Sequence, residues 1–165
     1  MEPVHPRHRG PGVAALLIGL MLSGLALVPT REAVTTELIV ADRLGGVALY
    51  GFDPVAYFVE RMARPGSEAI ELRFGELTWR FRNEANRAAF AARPEVYIPR
   101  FGGHDPIALM RGIPIAGDPA LFVVYDGRVF LFQRADNRAA FLKEPETIAQ
   151  AAAAAWPKVM RTLVP

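Results

Sequence analysis

A fifteen-residue stretch occurs twice in this chain, and that recurrence limits the possible folds more than any other feature. Phe81-Arg-Asn-Glu-Ala-Asn-Arg-Ala-Ala-Phe-Ala-Ala-Arg-Pro-Glu95 lies over Phe132-Gln-Arg-Ala-Asp-Asn-Arg-Ala-Ala-Phe-Leu-Lys-Glu-Pro-Glu146 with eight identical positions at a constant offset. Each copy follows two apolar runs joined by a turn. The first runs are Ile70 to Phe74 and Leu77 to Phe81 around Gly75-Glu76, the second Leu121 to Tyr125 and Val129 to Phe132 around Asp126-Gly127. Asp-Gly between β-rich runs is a hairpin signal. Each half therefore predicts a hairpin, then a helix, then a proline.

Asn83 and Asp136 stand where they can cap the two helices. Phe90 and Phe141 fall on the face that packs back onto the hairpin, and Ala88, Ala89, Ala139 and Ala140 permit close approach. Pro145 opens a last helix through the Ala151 to Ala155 run, which Pro157 should end or kink. Neither half holds enough apolar residues to fold alone. The predicted fold class is α+β: one small domain, residues 44–163, made of two hairpin-plus-helix units sharing a core, with the half-repeat at about 70–97 and 121–148. Residues 30–43 read as a linker running into a short strand, Glu37 to Val40.

Residues 1–29 read as a targeting segment and not as part of the fold. Arg7 and Arg9 precede an unbroken apolar stretch from Val13 to Val28, and Pro29 ends it. Gly24-Leu25-Ala26 fits a signal cleaved after Ala26. The same stretch also fits an uncleaved membrane anchor that spans the bilayer as a hydrophobic helix. In both cases the arginines hold the N-terminus in the cytoplasm, which places the domain in the periplasm.

The chain has a formal net charge of +2. Setting aside Arg7, Arg9 and Glu2 leaves 17 basic and 16 acidic side chains over residues 31–165, so no nucleic-acid partner is predicted. There is no cysteine, which excludes disulfides, thiolate metal sites and cysteine nucleophiles. Ser67 is the only serine beyond the hydrophobic segment, and no histidine is near it in sequence. Neither a phosphate loop nor a dinucleotide fingerprint is present. No catalytic set emerges, and the reading is of a protein that is not an enzyme.

The ligand-binding candidates are His104, Asp105, Asp53, Tyr57 and Tyr50. His104 is the only histidine beyond the N-terminal arm; with Asp105, in the Gly102-Gly103 turn, it could hold one edge of a copper or zinc ion. The competing reading is that Asp105 caps a short helix, Pro106 to Met110. Asp53 clusters with Tyr50 and Tyr57, and as an Asp before Pro it is equally a helix cap. Asp118-Pro119 is a third such pair. Met62 and Met110 offer thioethers for copper, although methionine at helical spacing is more often core filler. Trp79 and Trp156 read as core or edge aromatics.

Tyr50-Gly-Phe-Asp-Pro-Val-Ala-Tyr-Phe58, Trp79-Arg-Phe81, Asn86 to Phe90, Pro94-Glu-Val-Tyr97, Phe101-Gly-Gly-His104, Gly117-Asp-Pro119 and Ala155-Trp-Pro157 together resemble the YHS domain family. The likeness is to its exported bacterial members and covers about residues 44 to 160. The resemblance implies a treble-clef-like fold and metal handling. Metal-binding members place cysteines where this chain holds residues such as Ala56, Arg82 and Asn86, and exported members carry Tyr-Cys where it has His104-Asp105. The expected function is a non-catalytic periplasmic module binding a protein partner or small ligand. The alternatives are copper or zinc handling through His104 and Asp105, and an accessory subunit of a membrane complex anchored by residues 13–28.

Overall fold

The computed structural model describes Met1 and residues 38–163. Residues 2–29 of the targeting segment, its membrane contact through 13–28, and Glu37 of the expected first strand lie outside the described residues. Among those described, no helix is long and apolar enough to cross a membrane. The class is α+β: two antiparallel hairpins with helices.

In chain order the elements are α1 (Ala56–Val59), β1 (Ser67–Phe74), β2 (Leu77–Phe81), α2 (Glu84–Ala92), α3 (Pro94–Tyr97), α4 (Pro106–Leu109), β3 (Asp118–Tyr125), β4 (Arg128–Phe132), α5 (Ala135–Lys143) and α6 (Pro145–Met160). β1 pairs with β2 and β3 with β4, and both hairpins slip register at the same place, between Ser67 and Glu71 and between Asp118 and Phe122. Asp126 and Gly127 both take left-handed φ, as a two-residue hairpin turn requires. β1 and β3 each begin three residues before the apolar runs do. Asp118-Pro119 thus opens a strand at its irregular end, where a proline is tolerated, and does not cap a helix.

The duplication extends to side-chain geometry. Phe90 stacks on Trp79 at 4.7 Å and 36°, on Phe81 at 5.3 Å and 54°, and meets Phe74 edge-on at 5.7 Å and 88°. Phe141 repeats the arrangement with Phe130 at 4.8 Å and 38°, Phe132 at 5.2 Å and 57°, and Tyr125 at 6.0 Å and 84°. Offset and edge-on pairs of this kind add roughly 0.5–1.5 kcal/mol each beyond the area they bury.

Each half is closed by a buried aspartate. The Asp53 Oδ1 accepts from the Val55 and Ala56 amides at the start of α1 (2.8 and 3.4 Å), and its Oδ2 accepts from the Arg82 amide (2.8 Å) and Asn86 Nδ2 (2.7 Å). The Asp105 Oδ1 accepts from the Ile107 amide in α4 (2.8 Å), and its Oδ2 from the Gln133 amide and Asn137 Nδ2, both at 2.7 Å. An arch of three consecutive left-handed residues precedes each aspartate at the same spacing: Leu49-Tyr50-Gly51 and Phe101-Gly102-Gly103. Gly66 donates to Gly51 O and Gly117 to Gly103 O. A Cβ on Gly66 would collide with the Arg80 backbone, and one on Gly117 with Leu131, so both positions need glycine.

The expected single core is two adjoining clusters. One gathers Tyr57, Trp79, Phe81 and Phe90 with Val129 and Leu131; the other gathers Phe101, Phe130, Phe132 and Phe141 with Leu109 and Ala152. β4 supplies both, since successive residues of a strand face opposite ways. Its counterpart β2 turns only one face inward. Arg80, equivalent to Leu131, instead pairs with Glu68 and Glu71 on the outside.

Several local expectations change. The domain starts before Leu44: Val40 and Ala41 are buried, and Val40 N donates to Gly102 O. Residues 39–41 form only an isolated bridge, between Ala41 and Ala48, and not a strand. Asn83 caps α2 through its side chain, whereas α5 starts at Arg134 with no side-chain cap; Asp136 lies inside its first turn, where a carboxylate favours the helix dipole. Pro157 does not end α6, which continues to Met160. α3, which begins like α6 at an equivalent proline, stops at Tyr97 because Ile98 precedes Pro99 and is held extended.

Each aspartate, if lost, strands at least three donors. Asp53→Ala and Asp105→Ala should each lower the unfolding free energy in urea denaturation by about 3–5 kcal/mol. A loss under about 1 kcal/mol at either site would show that its carboxylate does not close the fold.

Candidate functional site

Asp53 and Asp105 are structural before they are anything else, because both oxygens of each carboxylate already accept protein hydrogen bonds. His104 is fully buried. Its Nδ1 lies 2.7 Å from Phe101 O, and its ring meets Trp156 at 5.6 Å. Copper or zinc held by His104 and Asp105 would have to displace bonds that hold the arch and α4. Among the described residues no three His, Cys, Asp or Glu side chains are grouped as a metal ion would need. Met62 and Met110, expected as core filler, are both exposed, and Met62 Sδ accepts from Arg64 Nη2.

Tyr57 is fully buried, stacks on Phe122 at 4.8 Å, and donates to Pro119 O at 3.0 Å. Burial, then the charges of Asp118 and Asp53, push its phenol well above the ordinary value. Tyr50 differs from the other candidates in being 50% exposed, with its backbone in the left-handed region.

Four of these five residues converge on one segment, Ile115 to Pro119. Asp105 N donates to Ile115 O, His104 pairs with Ala116 across an isolated bridge, Tyr57 bonds Pro119 O, and Tyr50 stands over a groove floored by the segment. Asp53 belongs to the other half. The groove has a volume of about 310 Å³, with Gln133 and Asp118 completing its walls. The Gln133 Oε1 is buried and has no hydrogen-bond partner among the described residues. Asp118 Oδ1 accepts from the Ala120 amide.

The groove thus combines an aromatic ring, apolar backbone-lined walls, one unsatisfied acceptor and a carboxylate. That set suits a ligand that donates hydrogen bonds, such as an amine, amide or hydroxyl compound. None of Tyr50, Asp118 and Gln133 is placed as an activated nucleophile. Ser67 Oγ accepts from Ala69 N at the exposed start of β1.

Gln133 escapes a reading of the sequence because a lone glutamine carries no motif. Its signal lies in the duplication. The equivalent residue, Arg82, forms an ion pair with Glu60 at 3.0 Å, whereas the second half replaces it with a neutral amide. Comparison with known proteins finds no family model, curated protein or solved structure that matches the chain.

His104→Ala should reduce stability by about 2–4 kcal/mol through a cavity beside Trp156 while leaving the copper and zinc content of chelator-free protein unchanged; denaturation and elemental analysis read the two effects. Tyr57 keeps its proton in the fold to higher pH than in the unfolded chain. Its stabilising effect is therefore complete below about pH 10 and is lost as pH rises beyond it. Alkaline denaturation of Tyr57→Phe should show a shallower fall with pH above 10, and an unchanged slope would refute the assignment.

Proposed function

We propose that this chain is an exported, non-catalytic binding module of the YHS type, and that its ligand contact is the groove of Tyr50, Ile115–Pro119 and Gln133. The observation that carries the reading is a groove lined by half-exposed Tyr50 and by Gln133, whose buried Oε1 has no hydrogen-bond partner among the described residues. An unsatisfied buried acceptor costs about 1–3 kcal/mol, a cost that a hydrogen-bond donor from a ligand would remove. The open groove admits a small molecule or a single side chain of a partner protein. The periplasmic location rests on residues 1–29, whether they are cleaved or remain as an anchor.

Titration of the isotopically labelled protein with small primary amines and amides, followed by NMR, tests the site. Shifts should concentrate on Ile115–Pro119 and the Gln133 side-chain amide. Gln133→Leu should weaken the binding by about tenfold, which corresponds to one lost hydrogen bond of about 1.4 kcal/mol. Shifts spread elsewhere, or unchanged in Gln133→Leu, would overturn the assignment.

A further inference from the structure

A second groove, on the opposite strand end of the same half, contains chemistry that the first half lacks. It lies where the β3–β4 turn faces α6, and Arg100 and Arg128 both line it. The equivalent of Arg128 in the first half is Leu77, packed against the core, and that of Arg100 is the buried Ala48. Two apolar positions of the duplicated unit have thus become guanidiniums that share one cavity. The Nε of Arg128 is buried with no hydrogen-bond partner, and among the described residues neither arginine has a carboxylate within ion-pair distance. Arg100 instead lies over the Phe101 ring at 5.4 Å.

The arrangement is unfavourable as it stands. Burial, and next the charge of Arg100, pull the Arg128 guanidinium below its ordinary value, with Glu95 acting in the opposite sense. Asp126 also lines the groove without pairing with either arginine. Tyr125 and the buried Phe130 also line the groove, with Ala149, Gln150 and Ala153 of α6. The cavity volume is about 360 Å³.

We propose that this groove binds a small organic oxyanion, a carboxylate or phosphate carried on an apolar planar body, with Arg128 and Arg100 gripping the charged end and Tyr125 flanking the body. A guanidinium offers a planar fork of N–H donors that matches either oxyanion, and an aromatic wall packs against a flat ligand. Two guanidiniums in one partly enclosed site repel each other until an anion neutralises both. This site is independent of the Tyr50 groove.

Calorimetric titration of the intact protein with benzoate, phenyl phosphate and neutral methyl benzoate, which has no hydrogen-bond donor, tests the proposal. At least one anion should bind saturably and methyl benzoate should not; tighter binding of phenyl phosphate assigns a phosphate ligand, tighter binding of benzoate a carboxylate. Arg128→Leu restores the residue type of the first half and should fold with equal or greater thermal stability while weakening the anion by about tenfold or more. Arg100→Ala should act in the same direction, and Tyr50→Ala should leave affinity unchanged. Equal affinity for methyl benzoate, no saturable binding of either anion, or unchanged affinity in a well-folded Arg128→Leu would each overturn it.

Discussion

The fold depends on two buried carboxylates. Asp53 and Asp105 each tie the start of a four-residue helix to the first backbone amide after a hairpin and to an asparagine in the following helix. Helices as short as α1 and α4 have no stability of their own. The residue after β2 or β4 has left its ladder, so its amide needs another acceptor. One carboxylate meets both needs, which explains why a side chain that normally avoids burial is fully buried here twice.

Around that shared device the halves have diverged, and the differences follow burial. Arg80 faces out with two glutamates, while Leu131 in the same role faces the first half. Phe52 becomes His104, Tyr50 becomes Gly102, Arg82 becomes Gln133, and Leu77 becomes Arg128. Gly102 permits the Leu38 backbone to pass where any side chain would obstruct it, and the second arch is covered by that segment. The first arch carries Tyr50 into solvent instead. Both grooves therefore lie where the copies differ, at Tyr50 and Gln133 in one and at Arg100 and Arg128 in the other.

Much of the scaffold was legible in the sequence. The paired hairpins, Asn83 as a cap, Asp105 as the cap of α4, Pro145 at the head of α6, and Phe90 and Phe141 as the residues that pack back on the hairpins all follow from local rules of turn chemistry, capping and helical spacing. Departures came where non-local contacts outweigh those rules. Asp136 falls inside the first turn of α5 because Arg134 takes the cap position, α6 continues past Pro157 to Met160 although that proline removes one interior helix bond, and Val40 belongs to the domain because Gly102 accepts its amide proton.

The candidate site was legible only in part. His104, Asp105 and Tyr57 are near the groove, but their polar atoms serve the fold, and of the five only Tyr50 reaches solvent within it. The sequence alone determined that this is a duplicated α+β domain without thiol chemistry, because periodicity, turn residues and a missing residue type are local properties of the chain. Only the tertiary structure decided which polar groups remain unspent. Whether Gln133, Arg128 or His104 has a partner depends on segments far away in sequence, and burial makes that difference count in free energy.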